Sequence, residues 1–323
     1  MGISRPAGVS GSTLTVQNSR LTVTAGERAI DATLDLTLES SQGGQHTLTL
    51  PEAARLQQVT IGGAAQPIRQ EGRRVTLPVV PGTQRFQLLW REPRGMGTRF
   101  LSPEVDLGLP SVNHYLKVTL GNDRWLLLSR GPRLGPAVLI WGVLAVLVLV
   151  AYGLGRTRFT PLKGWHWFLL GIGLSQASIW GALIVVGWLL GLGGRAQLNP
   201  AIKPYAFDAI QLGLGLLTVV ALSCLFDAIQ NGLLGYPEMQ VAGNGSSAYD
   251  LNWYQDRSDP ALPQAEVWSV PLSAYRLLML AWALWLAYAL LGWLRWGWGC
   301  YSTHGLWRSI RPRIAETPAQ AAP

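Results

Sequence analysis

From position 136 onward the chain carries apolar runs of a length that water-soluble folds seldom need. The clearest is 136–155, twenty residues without a charge, eleven of them Val, Leu or Ile. Each of those favours insertion at mid-bilayer by roughly 0.3–0.6 kcal/mol, so together they supply about −4 kcal/mol or better. A second uncharged run, 165–192, has 28 residues. That exceeds the ~20 needed to cross ~30 Å of hydrocarbon and predicts tilt or an interfacial first turn. A third, about 207–234, has a 15-residue uncharged centre at 212–226. Asp208 and Gln211 bracket it on one side, and Asp227, Gln230 and Asn231 on the other. The fourth run, about 277–294, is rich in Leu, Ala and Trp. These runs predict transmembrane helices at about 136–155, 165–192, 207–234 and 273–298.

The residues before 135 obey a different solvent. They hold no long apolar run, and Ile30, Ala32, Leu34, Leu36 and Leu38 alternate with Asp31, Thr33, Asp35, Thr37 and Glu39. A period of two puts one set on a core face and the other in water. Shorter strand signals lie at 13–16, 21–24, 46–50, 58–61, 75–79, 85–90, 116–120 and 125–128. Turn residues separate them, among them Gly43-Gly44, Gly62-Gly63, Glu71-Gly72, Pro81-Gly82 and Gly121-Asn122. About nine strands in ~130 residues predict an antiparallel sandwich. The Gly/Pro-rich segment 131–136 (GPRLGP) is the hinge between the two regimes. The expected fold class is therefore an α+β multidomain membrane protein. An N-terminal antiparallel β-sandwich (1–134) precedes a four-helix transmembrane region (135–305) with an aromatic extramembrane loop at 236–271, and a polar tail (306–323) closes the chain.

Composition narrows the partners. Only 14% of residues are charged, against about 25% in an average soluble domain. The net charge of +8 comes from scattered arginines without a dense basic cluster, which argues against nucleic acid and for charge held at a membrane face. Cys224 and Cys300 are the two cysteines, too few for a disulfide framework or a four-cysteine zinc site. The four histidines, 46, 114, 166 and 304, have no second His or Cys at metal-ligand spacing, and there is no G-x-S-x-G. No metal, cofactor or catalytic residue is implied.

The connections carry an orientation signal. The first has Arg156, Arg158 and Lys163, and the second has Arg195 and Lys203. The third sets Arg257 against Glu238, Asp250, Asp256, Asp259 and Glu266, and the tail has Arg308, Arg311 and Arg313. Basic connections and tail inside, with an acidic third loop outside, would put the β-domain outside. Four full crossings, however, return a chain to its starting side. Either one of the two middle runs does not fully cross, the third with its short centre being the expected exception, or one loop breaks the rule.

Three features are candidates for function. Phe207-Asp-Ala-Ile-Gln211 recurs as Phe226-Asp-Ala-Ile-Gln230 nineteen residues later, a helical rise of about 28 Å. Asp208 and Asp227 would then mark either the two ends of a helix in lipid or an ion path. Tyr275, Trp282, Trp285, Trp293 and Trp296 form a stripe on the last helix, suited to interface anchoring or to docking. The 236–271 loop mixes aromatic, carboxamide and charged residues, and there Tyr249, Trp253, Asp256 and Arg257 are the candidate contact residues.

The segment GPRLGP leading into a Trp-Gly membrane helix, and Gly243-Asn-Gly-Ser-Ser247 with Trp253-Tyr-Gln-Asp-Arg257, resemble parts of uncharacterised multi-pass inner-membrane proteins of Gram-negative bacteria. The resemblance covers under a tenth of the chain. It implies a bacterial inner-membrane location, with the β-domain periplasmic, and no activity. The expected function is non-enzymatic: an envelope module, embedded in the lipid bilayer, whose β-domain and third loop bind another envelope protein, a glycan or a lipid. The rivals are a transporter or channel component using Asp208 and Asp227, and a membrane enzyme acting on a lipid-linked substrate through the third-loop carboxylates. The enzyme reading predicts polar groups converging in a cleft.

Overall fold

The computed structural model describes residues 14–176, 178–198 and 202–307. Arg308, Arg311, Arg313 and nearly all of the expected tail lie outside the described residues. The chain divides into two compact units, one taking residues up to Gly142 together with Glu238–Ala274, the other Val143–Pro237 together with the chain from Tyr275. It is a mixed α+β protein with a large N-terminal sheet and long apolar helices after it.

The strands of the first unit are β1 (Leu14–Ala25), β2 (Ile30–Ser40), β3 (Gly44–Thr49), β4 (Arg55–Ile61), β5 (Ala64–Gln66), β6 (Gln70–Glu71), β7 (Arg74–Val79) and β8 (Gly82–Glu92). They continue as β9 (Arg99–Leu101), β10 (Ser111–Leu120), β11 (Arg124–Arg130) and β12 (Ala137–Val138). Three more come from the far side of the helices in sequence: β13 (Val241–Ala242), β14 (Asp250–Ser258) and β15 (Glu266–Pro271). A seven-stranded sheet runs β14-β10-β1-β2-β8-β4-β5, beside three-stranded sheets β11-β15-β9 and β3-β7-β6 and the pair β12-β13.

The alternation read in β2 is realised: Ile30, Ala32, Leu34, Leu36 and Leu38 are all buried. One core joins them to Phe86, Leu88 and Trp90 of β8, Leu48, Val75 and Leu77 of β3 and β7, and Phe100, Leu126 and Val267 of the third sheet. Each Val, Leu, Ile or Phe among them contributes ~1.5–3 kcal/mol by leaving water.

Two expectations are corrected here. The large sheet is not wholly antiparallel, because β1 pairs with β10 in parallel. The 85 residues between Ala25 and Ser111 give ample chain for the crossover a parallel pair needs. The 236–271 segment is not a loop appended to the helices, since β14 pairs with β10 along almost its whole length. β15 is the central strand of its sheet, held by β11 and β9. The Arg99 Nε–Glu266 Oε1 ion pair at 2.6 Å and the Arg124 guanidinium on Ser269 fasten it.

The second unit holds α1 (Ile140–Gly155), α2 (Gly164–Leu174), α3 (Ile179–Ala196), α4 (Pro204–Leu234) and α5 (Leu272–Ser302), of which α1 and α5 begin just before its bounds. Among the described residues three helices, α3, α4 and α5, are long and apolar enough to cross a membrane, and α1 is a shorter apolar helix. The expected set of four long helices is thus corrected. The second run is two helices, and the third, expected to be the run that does not fully cross, is one 31-residue helix. Ser175 closes α2, its hydroxyl donating to Ile172 O, and Ser178 caps α3 by accepting from Gly181 N–H. Serines can turn to the local backbone in this way, and a purely apolar run cannot.

The helices alternate in direction. A Cβ on Gly171 would meet Leu147, and one on Gly155 would meet Gly164, so α1 and α2 are antiparallel. Tyr275 Oη donates to Gln176 Oε1, and Trp282 Nε1 donates to Leu169 O, so α2 and α5 are antiparallel. Trp188 Nε1 donates to Thr218 Oγ1 at 2.9 Å and Arg195 Nε to Gln211 Oε1 at 2.9 Å, which sets α3 against α4. Gly232 by Met279, and Gln211 donating to Tyr301 O, set α4 against α5. One end of this unit therefore gathers the start of α1, the α2–α3 break, the end of α4 and the start of α5. The other gathers the connection 156–163, the end of α3, the start of α4 and the end of α5. Arg195, buried at that second end, also donates from Nη2 to Thr303 O and lies 4.3 Å from the Phe207 ring centre.

Candidate functional site

Pleating sorts β14. Leu251 and Trp253 face the core, while Asp250, Asn252, Tyr254 and Asp256 stand on the other face of the seven-stranded sheet. Register then carries Tyr254 across the sheet. Tyr254 lies opposite Tyr115, Tyr115 opposite Arg20, Arg20 opposite Asp35, Asp35 opposite Gln87 and Gln87 opposite Thr60. The rings of Tyr115 and Tyr254 are 4.8 Å apart, tilted by 44°, and the Arg20 guanidinium lies 5.3 Å from the Tyr115 ring centre. Gln87 Nε2 donates to Asp35 Oδ1 at 2.9 Å. Tyr254 Oη donates to Asn113 Oδ1 at 3.0 Å, and the Asp256 carboxylate beside it raises the phenol above its usual range.

The flanks of this ladder are charge-paired. Arg91 grips Asp31 through Nε (2.6 Å) and Nη2 (2.9 Å) and holds that carboxyl below the usual range. Asp250 accepts from Thr119 at 2.8 Å and pairs with Lys117 at 3.1 Å, and these contacts depress its pKa as well. These groups are exposed, so the pairs add little stability. They leave instead a polar, aromatic-centred surface whose donors and acceptors are already oriented.

Of the four residues read from sequence as contacts, the structure brings only Asp256 to this face. Trp253 is 2% exposed and packs against Gly131 and Gly135. Tyr249 is half-buried against the core, its carbonyl accepting from Leu120 N–H. Arg257 is exposed, one residue out of phase with Asp256. Tyr254, Tyr115 and Arg20 were missed. The alternation of Asp250, Asn252, Tyr254 and Asp256 with Leu251 and Trp253 was the signal that marks Tyr254.

The carboxylates proposed for chemistry are not gathered. Asp250 and Asp256 lie on β14 in the large sheet, Glu266 on β15 in another sheet, and Asp259 between them. Asp208 and Asp227 stand near the two ends of α4, with 18 uncharged residues between them. No described group of three or more His, Cys, Asp and Glu residues is arranged to hold a metal ion. A hydroxyl–imidazole pair does exist: Ser19 Oγ is 2.9 Å from His114 Nδ1 and 2.7 Å from Ser111 Oγ. All three residues are at most 1% exposed, so the pair braces β1 against β10 and is out of a substrate's reach.

No family model and no curated protein matches the chain. Solved structures with local similarity include an M1 zinc metallopeptidase from Deinococcus radiodurans, at 17% identity over 38% of this chain and 35% of that one, with a TM-score of 0.29. Another is Legionella pneumophila aminopeptidase A in complex with aspartic acid, at 11% identity over 39% of this chain and 18% of that one, also with a TM-score of 0.29. The chain spans well under two thirds of either protein, and likeness at this level carries no argument about fold or function.

Proposed function

We propose that this is a multi-pass protein of the bacterial inner membrane that holds a β-sandwich on the periplasmic side. The open face of the seven-stranded sheet binds another envelope component. The core shared between the large sheet and the two three-stranded sheets supports the sandwich reading. The binding reading is carried by one observation, the ladder Tyr254–Tyr115–Arg20–Asp35–Gln87, in which Tyr115, Arg20 and Gln87 are exposed and Tyr254 and Asp35 half-buried. Among protein, glycan and lipid, a glycan chain suits that ladder. Its C–H ring faces pack on the tyrosines, and its hydroxyls exchange hydrogen bonds with Asn113, Asp256 and Gln87.

The orientation rests on chain connectivity and charge. Strands on both sides of α1–α4 in sequence pair directly, β10 with β14 and β11 with β15, so both segments stand on one side of the bilayer. The chain must therefore make an even number of net crossings from α1 through α4. The break between α2 and α3 supplies that: α1 crosses, the α2–α3 pair enters and leaves at one end, α4 returns, and α5 crosses again. Arg156, Arg158, Lys163, Arg195 and Lys203 then all fall at the end of the helical unit opposite the starts of α1 and α5. The positive-inside rule makes that end cytoplasmic, and the conflict present in a four-crossing scheme disappears.

A photo-crosslinking residue placed at Tyr115 or Tyr254 in intact cells tests the binding face, with the exposed Gln45 of another sheet as the control position. The expected result is a discrete adduct at 115 and 254 that glycan hydrolases remove. A protease-sensitive adduct would replace the glycan by a protein partner. Labelling no different from position 45 would contradict the binding reading.

A further inference from the structure

We infer that the helical unit binds the phosphate group of a membrane phospholipid where the start of α2 meets the second half of α5. The inference rests on the membrane-spanning reading above. Arg276 and Arg295 are the two charged residues of α5, and the 18 residues between them are uncharged. Nineteen helical steps rise about 28 Å, close to the ~30 Å of bilayer hydrocarbon, so each arginine stands at headgroup depth.

Arg295 is exposed and makes no hydrogen bond or ion pair with another described residue. At headgroup depth a guanidinium without a protein counter-ion lies among lipid phosphates, and a phosphate answers its forked donors bidentately. A second donor faces the same space. His166 Nδ1 accepts the backbone N–H of Lys163 at 3.1 Å, which leaves the proton of a neutral imidazole on Nε2.

Arg295 and His166 line a cavity of about 500 Å³ together with Trp165, Trp285, Tyr288 and Trp293. Ring centres lie 3.7 Å apart for Trp165–His166, 6.3 Å for His166–Trp285 and 6.0 Å for Trp285–Trp293. Such a box of indoles belongs at the interface, where one side is apolar and the other wet. It would cover the glycerol and upper acyl carbons while the two donors hold the phosphate. Lys163, with Arg156 and Arg158 in the same connection, enriches anionic lipid near the entrance.

Native mass spectrometry of the full-length, delipidated protein in detergent tests this, with added dioleoylphosphatidylglycerol, dioleoylphosphatidylcholine or glycerol 3-phosphate. Wild type is expected to retain one phospholipid adduct. Arg295→Gln is expected to weaken it by about tenfold or more, the weight of one charge-assisted contact. Arg295→Lys should be intermediate, and Arg276→Gln at the other end of α5 should match wild type. Loss of both lipids in Arg295→Gln supports the phosphate as the group recognised. Equal retention in Arg295→Gln, or equal loss in Arg276→Gln, would overturn the site. Glycerol 3-phosphate binding as tightly as the lipid would overturn the lipid as its source. If Arg295→Gln does not fold, His166→Asn reads the same site from the other donor, and unchanged retention there counts against it. A protein that stays monodisperse without detergent would instead remove the membrane reading beneath the proposal.

Discussion

At Gly135 a side chain would collide with the indole of Trp253, since a Cβ there falls 2.1 Å from Trp253 Cδ1. Gly135→Ala is expected to destabilise the β-unit by about 1–3 kcal/mol, the usual cost of overpacking. Trp253→Ala should cost about 3–5 kcal/mol through the cavity it leaves. Urea unfolding followed by near-ultraviolet circular dichroism checks both. A neutral Gly135→Ala would contradict the close approach.

Buried histidines give the same unit an acid sensitivity. Burial pushes His114 down to about 4 and also lowers His46. A histidine with a depressed folded pKa binds fewer protons folded than unfolded between the two pKa values. Its penalty is therefore absent above about pH 6.5 and grows as pH falls toward 4. For His114 alone the loss at pH 5 is about 2 kcal/mol. Unfolding midpoints at pH 7 and pH 5 measure it, and His114→Gln should flatten the difference. At this scale the sequence was legible wherever period-two alternation ran, as in β2. Trp253 reads as a contact residue and Tyr254 is passed over because sequence alone presents their stretch as a loop, where no pleat assigns sides.

The break between α2 and α3 is the element that organises the helices. In hydropathy it is invisible, because Ser175, Gln176 and Ser178 carry no charge, and length alone hinted that 28 residues were more than one crossing needs. Part of the aromatic stripe of α5 is a packing face. Trp282 sits on Gly173, where a Cβ would come within 1.8 Å of its ring, and Tyr275, Trp282 and Trp293 are buried. Gly173→Leu is expected to displace Trp282 and lower the melting temperature of the detergent-solubilised protein. Ser178→Ala should cost about 1 kcal/mol through the lost cap. An unchanged melt for both would mean the break is held by something else.

At the scale of the whole molecule, β14 and β15 are supplied from beyond four helices, and nothing local in the sequence announces a partner more than 100 residues away. The strands of 14–130 were legible because their core face alternates; the completion of their sheets was not, because pairing across such a separation leaves no mark in either strand. Residues 1–142 expressed alone would expose the β10 edge and lack the centre of the third sheet. They are expected to aggregate, as unpaired edges do, and a fusion restoring 238–274 should recover a soluble, cooperatively unfolding domain.

The central claim is that both β segments stand on one side of the bilayer and the basic connections on the other. Labelling Glu71→Cys, Asp256→Cys and Arg158→Cys with a membrane-impermeant maleimide, in a background lacking Cys224 and Cys300, tests it most directly. Cells with a permeabilised outer membrane should label positions 71 and 256 together, and position 158 only once the inner membrane is opened. Labelling that separates 71 from 256, or that joins 158 to them, would contradict it.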